Sequence, residues 1–308
     1  MAAALFVLGL MPLQSAPGMG TRPPPGGRFE YDLTKYEDAG GSTGWKREEK
    51  MQPPIKGAGG IAVTRAGNII VAGERRAVVY DADLQTIGAW ELKSSANCLY
   101  AVNTGLVYTC AGDHVEVYEN GRLRDAWQQH GTEAVLTSIA VVDGTVFVAD
   151  AGNASVLQYE PDGTFKGSLA GGESKTFVAP GPYMDVAAGR EGTVWVADTG
   201  RLELKNFDRD GGFLSSWGKS SHKLDGFCGC CNPVHFAILP DGAFVTAEKG
   251  FVRVKVHKPN GALDSLVFGP GFLGKGINVE DVAADRKGRI YVLDSKGMLH
   301  IFGRKDAP

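Results

Sequence analysis

The chain has 308 residues, a formal net charge of −3 and a pI near 6.1. That balance supplies no stripe of lysine and arginine for a phosphate backbone, so no nucleic-acid partner is expected. Forty-three glycines and the absence of any helical period exclude a helical bundle and point to tight hairpins in one closed all-β fold.

Residues 1–16, MAAALFVLGLMPLQSA, form an apolar run ending in small residues. The run is too short to cross a bilayer and reads as the core of a signal peptide, although no Lys or Arg precedes it. An exported protein, periplasmic or extracellular, with no transmembrane segment is the expectation. Residues 17–56 read as a linker that begins rich in Pro and Gly. Within it, RFEYDLTKY, Arg28 to Tyr36, alternates like a strand, whereas Lys46 to Lys50 reads as a solvated charge run.

From residue 57 to 303 the chain repeats itself. VFVADAG at Val146, VWVADTG at Val194, FVTAEKG at Phe244 and IYVLDSKG at Ile290 are copies of one strand and turn, with looser copies at Ile69 and Val107. Each follows a small apolar strand and a glycine turn, and each precedes a strand that mostly ends in an aromatic residue. The six copies, roughly 38 to 50 residues apart, suit the four-stranded blades of a propeller. The sixth runs out at Phe302-Gly303-Arg304, one strand short. The expected fold is therefore a six-bladed β-propeller whose last blade is closed by an N-terminal strand, with 28–36 as the candidate. Closure removes exposed sheet edges, and a monomer is expected.

The units read Gly-x-(Val/Ile)-(Tyr/Phe/Trp)-Val-Ala-Asp-x-Gly, then a strand ending in an aromatic and an Asp-Gly turn. Trp217-Gly218 follows in one copy, ahead of Phe227 and Asn232-Pro233. In these features residues 57 to 303 resemble the NHL-repeat propellers. The Asn-x-Arg that often follows in that family is altered to Asn153-Ala154-Ser155 and Arg201-Leu202-Glu203. The family includes binding scaffolds and some lyases, so the resemblance speaks to fold more than to function. Its lyases use metal-binding histidines and an Arg/Tyr pair in the channel. Only His235 occupies such a position here, which does not support that activity.

Cys98 and Cys110 flank the Asn103-Thr104-Gly105 turn, where 98 faces 110. They are either a cross-strand disulfide or two small buried residues. The other three cysteines interrupt a connecting loop as Phe227-Cys228-Gly229-Cys230-Cys231-Asn232-Pro233. Three readings stand for them: a disulfide stapling the loop, a Zn²⁺ or Cu(I) site completed by His235 and His222, or a redox or catalytic thiol. In a propeller this loop and the turns after the second strands open on one face. Blade alignment sets His235 level with Ser138, Asp185 and Asp281 at the channel mouth, with Glu248 and Lys249 on the same face.

Asp150, Asp198, Glu248 and Asp294 recur too regularly for chemistry, since Asp before a tight turn accepts backbone N–H groups. Glu248-Lys249 breaks that pattern in the cysteine-bearing blade. No His-Glu-x-x-His, Gly-x-Ser-x-Gly or phosphate loop is present. The sequence thus favours a binding scaffold that takes a protein or small-molecule ligand at the channel-mouth face bearing the Cys-Gly-Cys-Cys loop. The alternative is a metal- or thiol-dependent protein using Cys228, Cys230, Cys231 and His235.

Overall fold

A computed structural model describes residues 44–172 and 176–305. They form six antiparallel sheets of four strands each. In blades one to five the strands follow chain order, starting from inner strands Gly60–Val63, Cys98–Asn103, Leu136–Val142, Asp185–Ala188 and His235–Ile238. Blade six takes Val279–Ala284, Ile290–Asp294 and Leu299–Arg304 from the end of the chain and Trp45–Met51 from its beginning. The inner strands touch one another in sequence around a closed ring, that of blade six meeting that of blade one. The architecture is the six-bladed propeller that the repeat predicts.

The closing strand differs from the expected one. Trp45–Met51 pairs antiparallel with Leu299–Arg304, from Trp45 opposite Arg304 to Met51 opposite Leu299. The segment 28–36 lies outside the described residues, as do residues 1–16. The closing strand reads as a charge run because an outermost strand is solvated: Lys46 to Lys50 are exposed while their backbone carries the ladder. Trp45 alone is buried, and its Nε1 donates to Ser265 Oγ at 3.0 Å.

Second strands such as Ile69–Ala72, Val194–Asp198 and Phe244–Glu248 are buried along their whole length. Each lies inside its own sheet and is covered on both faces by neighbouring blades, which explains near-continuous apolar runs where a one-sided sheet would alternate. Apolar clusters accordingly bridge adjacent blades, as where Val245, Val254 and Val256 meet Val282, Val292 and Phe302. Near the outer rim a tryptophan of one blade covers a turn glycine of the next. Gly163 and Gly261 have φ of 88° and 81°, and a Cβ there would stand 2.5 and 2.6 Å from the rings of Trp127 and Trp217. Only glycine supplies both the conformation and the space.

Cys98 and Cys110 are directly opposed and disulfide-bonded, with Cα atoms 5.2 Å apart. The turn is one residue tighter than its sequence suggests, and a bulge at Val102 restores the register.

Candidate functional site

The first place to consider is the axis. A cavity of about 90 Å³ lies where the inner strands begin, lined by Ile61, Cys98, Ser138, Asp185, His235 and Asp281 among others. The five residues from Cys98 onward hold equivalent positions, opposite Cys110, Ala149, Ala197, Ala247 and Leu293 of the second strands. Gly60 completes the ring, because a Cβ there would press within 3.0 Å of the Cys98 backbone. The structure therefore brings together His235, Ser138, Asp185 and Asp281 as the alignment expects.

The polar side-chain atoms of Ser138, Asp185 and Asp281 join adjacent blades. Asp185 accepts the N–H of Val186 in its own blade (2.8 Å), that of Phe236 in the next (2.8 Å) and the Ser138 hydroxyl of the previous one (2.5 Å). Asp281 accepts Val282 N–H at 2.7 Å and, across the closure, Ile61 N–H at 2.9 Å. A space this small holds a handful of waters and falls below the ~300 Å³ of an ordinary small-molecule pocket.

Burial pushes Asp185 up to about 6, against the pull of its three hydrogen bonds. Burial, then the neighbouring Asp185 charge, raises Asp281 well above the carboxylate range. The same desolvation pushes His235 down to about 4, with its Nδ1 3.9 Å from Asp185 Oδ2. His257, buried in blade five, also falls to about 4. The signs oppose one another. The protonated Asp185 contributes stability that is full below its unfolded value of 3.8 and lost as pH rises through about 6. The neutral histidines contribute stability present above 6.5 and lost as pH falls through about 4. Asp185→Asn is expected to unmask the histidine slope, losing about 3 kcal/mol more than wild type between pH 6.5 and 4. Urea midpoints across that range measure it, and parallel curves for the two proteins would refute it.

The second place is the blade-five loop, on the face where inner strands begin. Glu248, at the end of strand Phe244–Glu248, is fully buried. Its Oε2 accepts Cys228 N–H at 2.8 Å and Arg253 Nη2 at 2.7 Å, and its Oε1 meets Lys255 Nζ at 2.8 Å. Arg253 and Lys255, on the third strand Arg253–His257, are buried too. They reach on to backbone carbonyls of the loop: Arg253 to His222 and Lys223 at 3.1 and 3.3 Å, Lys255 to Leu224 and Gly226 at 3.1 and 2.6 Å. Burial lowers the Lys255 ammonium to about 8, in spite of Glu248. One carboxylate and two cations thus hold residues 222–228 against the blade.

Asn232 holds the other side. Its Oδ1 accepts Lys249 N–H at 2.9 Å and its Nδ2 donates to Cys228 O at 2.5 Å. Cys231, buried, takes a left-handed φ of 60°, and the Asn232–Pro233 peptide is cis. What this framework presents is specific: Cys230 is exposed, Cys228 is partly exposed, and His222 Nδ1 lies 3.1 Å from Cys228 Sγ. Burial raises the thiols of both Cys228 and Cys231. Beside them Lys249 Nζ sits 4.3 Å over the Tyr183 ring of the blade-four loop.

The proposed ligands for a soft metal do not converge. His235 lines the axial cavity, which Cys228, Cys230 and Cys231 do not line, and His222 meets Cys228. Among the described residues, no three His, Cys, Asp or Glu side chains are placed to hold a metal ion. The Zn²⁺ or Cu(I) reading does not fit this geometry.

No family model and no curated protein sequence matches the chain. Solved structures do. The WD40 propeller domain of Doa1 superposes with a TM-score of 0.59 at 14% identity, covering 86% of this chain and 98% of that one. A catalytically inactive virginiamycin B lyase from Staphylococcus aureus, determined with quinupristin, gives 0.60 at 11% identity, covering 84% and 99%. A streptogramin B lyase gives 0.60 at 9%, covering 84% and 97%. The likeness is one of fold.

The regular acids have the structural duty their recurrence implies. Asp150 and Asp198 accept Val135 and Val178 N–H at 3.0 and 2.9 Å, as Glu248 accepts Cys228. Sequence reasoning missed Arg253 and Lys255, which are buried, as are His257 and His300. A signal was present. Lys205 lies seven residues after Asp198 and pairs with it at 2.7 Å, the same spacing as Lys255 after Glu248.

Proposed function

We propose that this chain is an exported binding propeller of NHL type, acting as a monomer, whose ligand or protein partner engages the face carrying the blade-five loop. The observation that carries the reading is the contrast between a committed axis and a presented loop. Cys230 is exposed and Lys249 and Tyr183 are half-buried on a backbone held from behind by buried Glu248, Arg253 and Lys255. A preorganised surface binds with less ordering cost, and local backbone strain such as that at Cys231 collects at functional positions. The Val-Ala-Asp-x-Gly units support the NHL assignment. The Cys98–Cys110 disulfide supports an oxidising compartment, and among the described residues no helix is long and apolar enough to cross a membrane.

The test is capture from a native extract by immobilised protein, comparing two variants. Tyr183→Ala with Lys249→Glu alters the proposed face. Arg190→Glu alters a turn between first and second strands at the opposite end of a blade. Loss of the bound component with the first variant and retention with the second is the expected result. Equal behaviour of the two would sink the reading.

A further inference from the structure

The described residues hold one disulfide and three free thiols, and those three lie within four positions of one loop. They are graded in access: Cys230 exposed, Cys228 intermediate, Cys231 buried. Only Cys228 has an imidazole nitrogen within reach of its sulfur, His222 Nδ1 at 3.1 Å. Gly229, between Cys228 and Cys230, has a φ of 76° and open space around it, with nothing within 4 Å of where a Cβ would stand. Two Cα steps of ~3.8 Å joined at such a bend keep the two Cα atoms near the ~4.4–6.8 Å that a disulfide spans.

We propose that residues 228–231 form a thiol–disulfide exchange site, in which Cys230 captures one half of an incoming disulfide and Cys228, with His222 as its base, displaces it. The proposal rests on the reading of this face as the contact surface and names the chemistry of what meets it: a disulfide, in a small molecule or a partner chain. In the first step the Cys230 thiol gives its proton to solvent. The sulfur then attacks one sulfur of R–S–S–R, forming Cys230–S–S–R and releasing RS⁻, which takes up a proton. In the second, His222 Nδ1 accepts the Cys228 proton, and Cys228 sulfur attacks Cys230 sulfur. The bond to R breaks, and RS⁻ leaves with the proton from the imidazolium. Two thiols of the loop are oxidised to a Cys228–Cys230 disulfide and R–S–S–R is reduced by the same two electrons to two RSH. The raised thiol of Cys228 explains why a base is needed beside it.

The Cys231 thiol lies against that of Cys230, but it is buried and the imidazole stands on Cys228, so Cys228 is assigned the resolving role. The Cys231 sulfur is buried beside Gly181 of the blade-four loop, 3.8 Å from where a Cβ on that glycine would stand. The buried ion cluster matters here too, because Arg253 holds the carbonyl of His222 and Glu248 holds the N–H of Cys228. Base and resolving thiol are thereby set in register by groups that do not react.

The full chain, with its loop thiols reduced, is mixed with glutathione disulfide and followed by intact mass and peptide mapping. Wild type should lose two hydrogens from the loop and retain no glutathione. Cys228→Ser should hold one glutathione on Cys230. His222→Gln should capture glutathione at the wild-type rate but release it about a hundredfold more slowly. Release from Cys228→Ser as fast as from wild type, or trapping in Cys231→Ser instead, overturns the assignment, as does a failure of Cys230 to react. Exchange with glutathione disulfide alongside unchanged partner capture by the Tyr183/Lys249 variant would retire the contact-surface reading alone. The reverse pattern would retire the exchange chemistry alone.

Discussion

Glu248→Ala is expected to destabilise the protein by about 3–5 kcal/mol at pH 7, because it strands two buried cations. Arg253 and Lys255 keep their backbone carbonyls but lose the only carboxylate they share, and Cys228 N–H loses its acceptor. The pH dependence identifies the cause. In wild type the Lys255 ammonium, depressed to about 8, already makes stability rise with pH between that value and its unfolded 10.5. Without Glu248 the depression deepens and the window widens downward. The deficit should therefore be largest at neutral pH and shrink toward pH 10, where the lysine is neutral in either protein. Urea unfolding at pH 7 and 10 measures it. A loss below about 1 kcal/mol at pH 7 would mean that loop carbonyls alone satisfy the cations.

Gly152→Ala should cost about 3 kcal/mol, at the top of the range for overpacking. The repeat keeps glycine after Asp-x because this turn lies flat against the incoming loop of its own blade. A Cβ on Gly152 would stand 1.8 Å from Glu133 O, and one on Gly200 2.4 Å from Val178 Cγ1. A backbone carbonyl cannot rotate away as a side chain can. Gly88→Ala, in the outer strand of blade one, is the control. Its new methyl would make only ordinary contacts with Val79, the nearest at 3.8 Å, so it should be neutral or slightly stabilising. Comparable losses for both would place the cost in glycine's backbone freedom and not in the clash. In blade five the equivalent Gly250 has nothing within 4 Å of a Cβ. There, unlike in blades three and four, the turn stands clear of the loop and Asn232 bridges the gap.

The blade count and the ring of inner-strand residues were legible because both follow from periodicity. Once Asp185, His235 and Asp281 were aligned at one position of a repeating unit, closure had to bring them together. The facing of Cys98 and Cys110 was expected from a three-residue loop; the turn is one residue shorter, and the bulge at Val102 makes up the difference, so the expected pair still meets. Two features escaped for physical reasons. The closing strand carries a charge run because its side chains face water, so only hydrogen bonding to Leu299–Arg304 distinguishes it from a linker. Arg253 and Lys255 alternate like solvent-facing residues, yet they point into a loop whose carbonyls neutralise the cost of burying them. Which carbonyls fold back over a strand is not written in the strand.

The pairing of Trp45–Met51 with Leu299–Arg304 joins segments about 250 residues apart. A nascent chain therefore makes blades one to five while the circle stays open, and strand Trp45–Met51 waits, unpaired, for Leu299–Arg304 to emerge. Until then the growing molecule is a curved stack with two naked ends, the stage at which it most needs shielding from its neighbours.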